Sequence, residues 1–526
     1  MISIRSVLVI LFLIVCLGGF LRFYNLGERS FSADEFLDIN ATVGYAQTGQ
    51  WQAWDHNLQV VAQRENALSD QRAWLYRIQV AKLFSFVPPT EFFARSVSVL
   101  WGLVTIVLMY FVGSSFSRSR TVGLLSAFFF AVSIVGIEFD RTLRMYAMFF
   151  PVFLLLSWLL FQLLENVDIP GRLRQIGFVS RLVDVCRRVC SINVVYLLPV
   201  LFVGLLSFHL HPLTANIAFV LLGYICVMLI VRWRQKKKMW PYSFFLSSAG
   251  VLLLVGALFF RSALAPLFAG LVFFENHYSY IGTVLSDYQH PLIGLLLVVF
   301  GAYFLLCRRE TFTAGVWLSS CALVILLAAV FLWRRVAGEQ YIFFVQSFVI
   351  ILLSAGVYGL ATLLRDVYSG RGRQVFVVII SLAILLVPAY GYFFNADDNA
   401  YHQTSRSSQP RYREIFSYVM KHRQDDAVLV TRNFRNYYWA GKDVSVVDFG
   451  GERTKRKITR DEIVLLTQQY SSGWVVLSDN DEEFVSKEAL EFMEENFERV
   501  NDVAVRGPVL VYRWNQENNF SMSDEL

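Results

Sequence analysis

Apolar residues run for about twenty positions at a time along most of this chain, the length a helix needs to cross a hydrocarbon core about 30 Å thick. Such stretches stand at approximately 4–24, 92–113, 121–138, 145–165, 193–210, 212–232, 242–260, 291–307, 313–332, 341–363 and 375–394. The first is longer than a signal-peptide core and has no small-residue cleavage pattern before Leu21-Arg22-Phe23, so it reads as a retained span. Past residue 395 the pattern changes to short alternations. AVLVT at 427–431, VSVVDF at 444–449, GWVVLSD at 473–479 and VLVYRW at 509–514 read as strands, with helices at 411–423, 461–470 and 482–497 between them. The fold class that follows is an α-helical polytopic membrane protein with about eleven transmembrane helices over 1–394, carrying a small C-terminal α/β domain over 395–526.

Composition strengthens this reading. The chain has 56% hydrophobic residues and 47 Phe, with a mean hydropathy of +0.49, beyond what a soluble globular surface tolerates. Basic residues set the orientation, because cytoplasmic loops concentrate Lys and Arg. With the N-terminus inside, every inner loop is basic, for example Arg118 and Arg120, Arg232 to Lys238, and Arg365 to Arg373. The C-terminal domain then lies outside, which predicts a multi-pass protein of the plasma (inner) membrane with a cytoplasmic N-terminus and an extracytoplasmic C-terminus.

The first outer loop, 25–91, is long. Its stretch 71–86 (QRAWLYRIQVAKLFSF) has the pattern of a helix lying on the membrane surface or packed on protein. None of the six cysteines falls in the C-terminal domain, so that domain folds without disulfides. Cys186 and Cys190 have no second Cys or His pair beside them to complete a metal site. The chain contains no P-loop, dinucleotide glycine fingerprint or serine nucleophile elbow, which leaves soluble-nucleotide chemistry and nucleic-acid binding without support.

Candidate chemistry gathers on the outer side. Asp34 and Glu35 form an adjacent acidic pair about ten residues past the first span, and carboxylates held at a membrane face are costly enough to suggest chemistry rather than surface decoration. Only one of two adjacent side chains points into a given cavity. Glu138 and Asp140, at the outer end of the third span, suit a divalent cation such as Mg²⁺ or Mn²⁺, or else pair with Arg141 and Arg144. Arg144, Arg334 and Arg335 are candidate phosphate grips, because guanidinium groups hold phosphate oxygens bidentately. His209 and His211, before Pro212, offer donor contacts, a metal ligand pair or a helix cap. The aromatic segment 273–290 has the composition of a lid or sugar-stacking surface.

Over roughly residues 1–400 these features resemble the GT-C class of membrane glycosyltransferases that use lipid-phosphate sugars, in particular the branch of protein O-mannosyltransferases and aminoarabinose transferases. Four pieces carry the resemblance: SFSADEFLDINATVGYAQTGQW, AKLFSFVPPTEFFARSVSVLWGLVTIVLMYFVG, FDRTLRMYAMFF and EQYIFFVQSFVIILLSAG. It implies that Asp34, with Glu35 as alternate, is the base that activates the acceptor, and that Arg144 and Tyr146 help to build the donor site. The chain departs from the pattern in having Arg72-Ala73-Trp74 where many relatives carry Pro-Pro-Leu, and Gln340-Tyr341 where an Arg-Tyr pair is common.

The resemblance implies transfer of a monosaccharide from a polyprenyl-phosphate donor to an acceptor hydroxyl or amine at the outer face, with inversion at the sugar carbon. Acceptors of the class include protein Ser or Thr, glycans and cell-envelope lipids. Other readings of the residues are a polytopic transporter, and an oligosaccharide polymerase or ligase. A transporter predicts mid-span acids and two related halves, neither of which the sequence shows.

Overall fold

The computed structural model describes residues 3–62, 70–165, 192–237, 239–259, 277–333, 338–368, 370–395, 398–449 and 457–515. Helices stand at each of the apolar stretches, and the chain is a multi-pass membrane protein. Among the described residues six helices are long and apolar enough to cross a membrane, or seven if one bent pair is a single span. They include α1 (Ile4–Phe23), α4 (Glu91–Ser117) and α7 (Tyr146–Glu165). Val194–Leu210, Pro291–Leu306 and Gly372–Leu386 are shorter apolar helices. The last stops at Leu386 rather than running to 394, because Pro388 lacks the N–H that a helix would need there.

The third span is broken. Residues 121–138 divide into α5 (Arg120–Ala131) and α6 (Ile134–Asp140), bent by 60°. Asp287 stabilises the start of α6 by accepting hydrogen bonds from Ser133 Oγ (2.6 Å) and Val135 N–H (3.1 Å), while Gln346 donates to the same carboxylate (2.6 Å). A side chain inserted at a break is a recognised cause of a sharp helix bend.

The chain divides into two compact units. One takes in Met1–Arg22, Val99–Asp140 and Tyr146–Phe393, and the other Phe23–Ser98, Arg141–Met145 and Phe394–Leu526. The second unit therefore joins the long loop after the first span and a five-residue segment to the C-terminal domain, where the sequence pattern alone assigns those pieces to the membrane module.

In the first unit Arg22, fully buried on α1, donates from Nε to Asp140 Oδ2 at 2.7 Å and from its other nitrogens to the carbonyls of Gly18, Ala131 and Phe130. Gly102 makes room for this pair: a Cβ there would stand 2.3 Å from Asp140 Oδ2 and 2.9 Å from Arg22 Nε. Gly102→Ala is expected to displace the pair and to cost about 3 kcal/mol or more. This reads out as a lowered unfolding midpoint in detergent. Gly250→Ala, on a helix with open space around the position, is the matched control and should leave the midpoint unchanged.

The second unit contains α2 (Ala33–Thr48), a short hairpin of β1 (Trp54–Asp55) and β2 (Val60–Val61), α3 (Trp74–Phe84) and a five-stranded sheet. The sheet strands are β3 (Val428–Val430), β4 (Ser445–Val447), β5 (Ser472–Ser478), β6 (Glu498–Arg499) and β7 (Val509–Asn515), in the order β4-β3-β5-β7-β6. β3 runs parallel to both β4 and β5, and β7 is antiparallel to β5 and β6. Every residue of β5 is buried, as a central strand requires. Ile463 and Leu466 from helix Arg460–Gln469, with Ala489, Phe492 and Met493 from Lys487–Asn496, complete the core. The helix expected over 482–497 starts only at Lys487, because Ser486 caps it by accepting from Ala489 N–H.

Candidate active site

The second unit presents the acidic pair on α2. Ser32 is the N-cap in an extended conformation, and its N–H donates to Glu35 Oε2 at 2.9 Å, one half of a capping box. Asp34 and Glu35 in the first turn complement the positive end of the helix dipole. Gly49, left-handed at φ +73°, closes the helix through its N–H to the Tyr45 carbonyl.

The two adjacent acids have opposite environments. Glu35 is 1% exposed. Its carboxylate accepts from Arg95 Nε (2.9 Å) and Nη2 (2.8 Å), from Leu143 N–H (2.7 Å) and from Ser32 N–H. Burial alone would raise its pKa, but the Arg95 charge and these hydrogen bonds outweigh that and hold the group below its ordinary 4.5. A carboxylate so fully occupied has no lone pair directed at a substrate. Asp34 keeps about half of its side chain exposed and touches Arg144 Nη2 at 3.3 Å. Of the two candidates for the base, the geometry leaves Asp34 accessible and makes Glu35 part of the frame.

Three arginines and a third acid complete the cluster. Asp38, one turn after Asp34 and 1% exposed, takes hydrogen bonds from Arg77 Nε and from Arg144 Nη1 at 2.8 Å. Arg144 also donates to the Asp34 carbonyl (3.0 Å), and Arg77 to the Asp70 carbonyl (2.9 Å). Three carboxylates, Asp34, Glu35 and Asp38, thus face three guanidiniums, Arg77, Arg95 and Arg144, and the net charge of the cluster is zero. The Tyr76 hydroxyl bonds to Ser98 Oγ (2.7 Å), which in turn donates to the Thr142 carbonyl (2.6 Å) and fixes the segment that carries Arg144. α3 buries Tyr76, Arg77, Val80 and Ala81, so the helix expected over 71–86 packs on protein through its Arg77 face.

Of the other expected site residues, Arg144 belongs to this cluster. Arg144, expected to grip phosphate, has its guanidinium turned onto Asp38 and Asp34. Tyr146 belongs to the first unit, at the start of α7, with its ring 5.4 Å from His211 and 5.5 Å from Phe343. His211 is buried and acts as a cap, its Nδ1 accepting from Leu213 N–H at 3.1 Å, while His209 is half-buried on the last turn of its helix. Arg334 and Arg335 lie outside the described residues, as do 273–276 of the expected lid and Cys186 and Cys190.

Glu138 and Asp140 do not form a metal pair. Glu138 accepts from the Tyr392 hydroxyl at 2.8 Å, and Asp140 is engaged by Arg22. The partner of Asp140 is therefore Arg22 rather than Arg141 or Arg144. Arg141 donates to the carbonyls of Tyr24, Asn25 and Ala400 and lies 4.5 Å over the Tyr401 ring. A buried carboxylate already neutralised by a guanidinium does not fit a divalent cation, and among the described residues no three His, Cys, Asp or Glu side chains come together as a metal site.

Sequence reasoning missed Asp38, Arg77 and Arg95 as members of the cluster. The available signal was spacing: Asp38 follows Asp34 by four residues and shares its helix face, and Arg95 interrupts the opening turns of an apolar span.

No known family model and no curated protein sequence matches the chain. Solved structures do. ArnT, the aminoarabinose transferase of Cupriavidus metallidurans, in its apo state superposes with a TM-score of 0.54 at 10% identity, over 97% of this chain and 98% of that one. The Archaeoglobus fulgidus oligosaccharyltransferase tethered to an acceptor peptide gives 0.54 at 11% identity, over 94% of this chain and 72% of that one. The archaeal oligosaccharyltransferase AglB from the same organism, in complex with an inhibitory peptide and a dolichol-phosphate, gives 0.52 at 10% identity over 98% and 75%. The chain has the GT-C fold that its motifs imply.

Proposed function

We propose that this GT-C-fold chain is a glycosyltransferase that moves a monosaccharide from a polyprenyl-phosphate carrier to an acceptor hydroxyl or amine at the outer membrane face, with Asp34 as general base. The observation that carries this reading is the division of labour at Asp34-Glu35: one carboxylate is locked into the frame and its neighbour is left accessible. Structural likeness supports the carrier, since AglB was captured with a dolichol-phosphate and the oligosaccharyltransferase with an acceptor peptide.

Chemically, the acceptor proton passes to Asp34 Oδ as the acceptor oxygen or nitrogen attacks the anomeric carbon, and the bond to the carrier phosphate breaks with its electron pair going to the phosphate. A single displacement through an oxocarbenium-like state inverts the anomeric centre. Arg144 orients Asp34 through its contact with the carboxylate and the Asp34 carbonyl. Proton and sugar are both accounted for, and no covalent glycosyl-enzyme forms.

The test is transfer by purified protein in lipid from a panel of radiolabelled polyprenyl-phosphate monosaccharides, with membrane extract as acceptor. The expected result is label in the acceptor fraction from at least one donor, with inverted anomeric configuration. Failure with every monosaccharide donor, by protein shown to unfold in one sharp transition, rejects the reading. Transfer only from a lipid-linked oligosaccharide would favour the ligase alternative, to which the oligosaccharyltransferase likeness lends weight.

A further inference from the structure

In an open α/β sheet, the crevice for a ligand lies outside the carboxyl ends of the strands where the strand order reverses. Here the chain leaves β3 for β4 on one side and returns to β5 on the other, so the reversal falls between β3 and β5. That position is filled by the chain itself. Arg435, which follows β3 and is 0% exposed, donates to both oxygens of Asp481 (2.6 and 3.0 Å), just beyond β5. Asp481 Oδ2 also accepts from the Ser478 N–H at the end of β5 (3.0 Å).

Arg435 sits within the helical turn Asn433–Trp439, so this buried pair anchors that turn to the sheet. From the turn, contacts run to α2. Phe434 packs edge-on against Phe36 (5.8 Å), and its carbonyl accepts from Asn40 Nδ2 (2.8 Å). The Tyr438 hydroxyl accepts from the Phe31 N–H at 2.6 Å, immediately before the Ser32 cap, and donates to Glu91 at 2.9 Å.

We infer that Tyr438, held on the Arg435–Asp481 anchor, is a positioning residue that sets the N-terminal turn of α2 and with it the Asp34 carboxylate. The C-terminal domain then serves the reaction by fixing the base, using the place where such sheets ordinarily take a ligand. This rests on the reading of Asp34 as base.

Tyr438→Phe removes one oxygen and leaves the ring in place. The Phe31 N–H loses its acceptor, and kcat for sugar transfer is expected to fall roughly tenfold to a hundredfold, the scale of a small misplacement of a catalytic group, with KM for the polyprenyl-phosphate donor unchanged. The discriminating readout is the double variant. Asp34→Asn with Tyr438→Phe should transfer no more slowly than Asp34→Asn alone, because a misplaced base matters only while the base is present. Independent, multiplying losses would overturn the inference and leave Asp34 as base. So would an unchanged kcat with a lowered unfolding midpoint, which marks Tyr438 as merely structural. Full activity of Asp34→Asn by itself would instead remove the underlying reading of the site.

Discussion

Asp34→Asn should lower the rate of sugar transfer about 10²- to 10⁴-fold, the range attributed to general-base assistance, while the protein unfolds at the same temperature as the wild type. The expectation of an intact fold comes from the surroundings of Asp34. Its side chain is about half exposed, and Arg144, with which it pairs, keeps the shorter bond to Asp38. The amide retains the size of the carboxylate and a carbonyl oxygen for Arg144, but it cannot accept the acceptor's proton. Initial rates with a single polyprenyl-phosphate donor, compared alongside thermal unfolding in the same detergent, decide the matter. A rate within threefold of wild type would remove Asp34 from the chemistry.

Glu35→Gln should give the opposite result, a large loss of stability. Neutralising Glu35 leaves the Arg95 guanidinium, 4% exposed, without its countercharge. Breaking a buried pair from one side costs roughly 3–5 kcal/mol, a large share of the about 5–15 kcal/mol that holds a typical protein together. Replacing both partners with apolar residues would recover less than in a simple pair, because Ser32 and Leu143 would still lose their acceptor. The pH dependence has a definite sign. Glu35 titrates below 4.5 when folded, so its stabilisation is complete above 4.5 and is lost as pH falls through the folded value. Denaturant midpoints of wild type measured downward from pH 6 should begin to drop only below 4.5, and Glu35→Gln should lack that component. Together, the two neighbouring substitutions separate chemistry from architecture: one affects rate, the other stability.

Much of the architecture was legible in the chain because membrane helices and alternating strands announce themselves locally. The stretches of apolar residues, and the strands at 427–431, 444–449, 473–479 and 509–514, all form where their periodicity places them. Features that depend on distant partners did not show. The break at Ser133 contains no proline or glycine to signal it, and its cause, Asp287, lies over 150 residues later. The site was half legible. Adjacent acids after the first span marked the place, yet which of them is the frame depends on Arg95, 60 residues away, and on a backbone N–H at Leu143. Likewise Arg144 and Asp140 read as a grip and a metal ligand because they stand in a run of charges, Glu138 to Arg144, at a span end; their actual partners, Asp38 and Arg22, sit on helices that the sequence does not place beside them.

The way α2 is held also bears on the order in which the protein matures. Its N-terminal turn is completed by Arg95, then by Leu143, and finally by Tyr438. At synthesis rates of about 5–20 residues per second, roughly 20–80 s separate the emergence of Asp34 from that of its last support. Through that interval a newly made chain carries its acid on an unfinished scaffold. A ribosome that stops before Tyr438 therefore releases a membrane-inserted chain in which the N-terminal turn of α2 has not been set, and under the proposed function such a chain lacks a positioned Asp34.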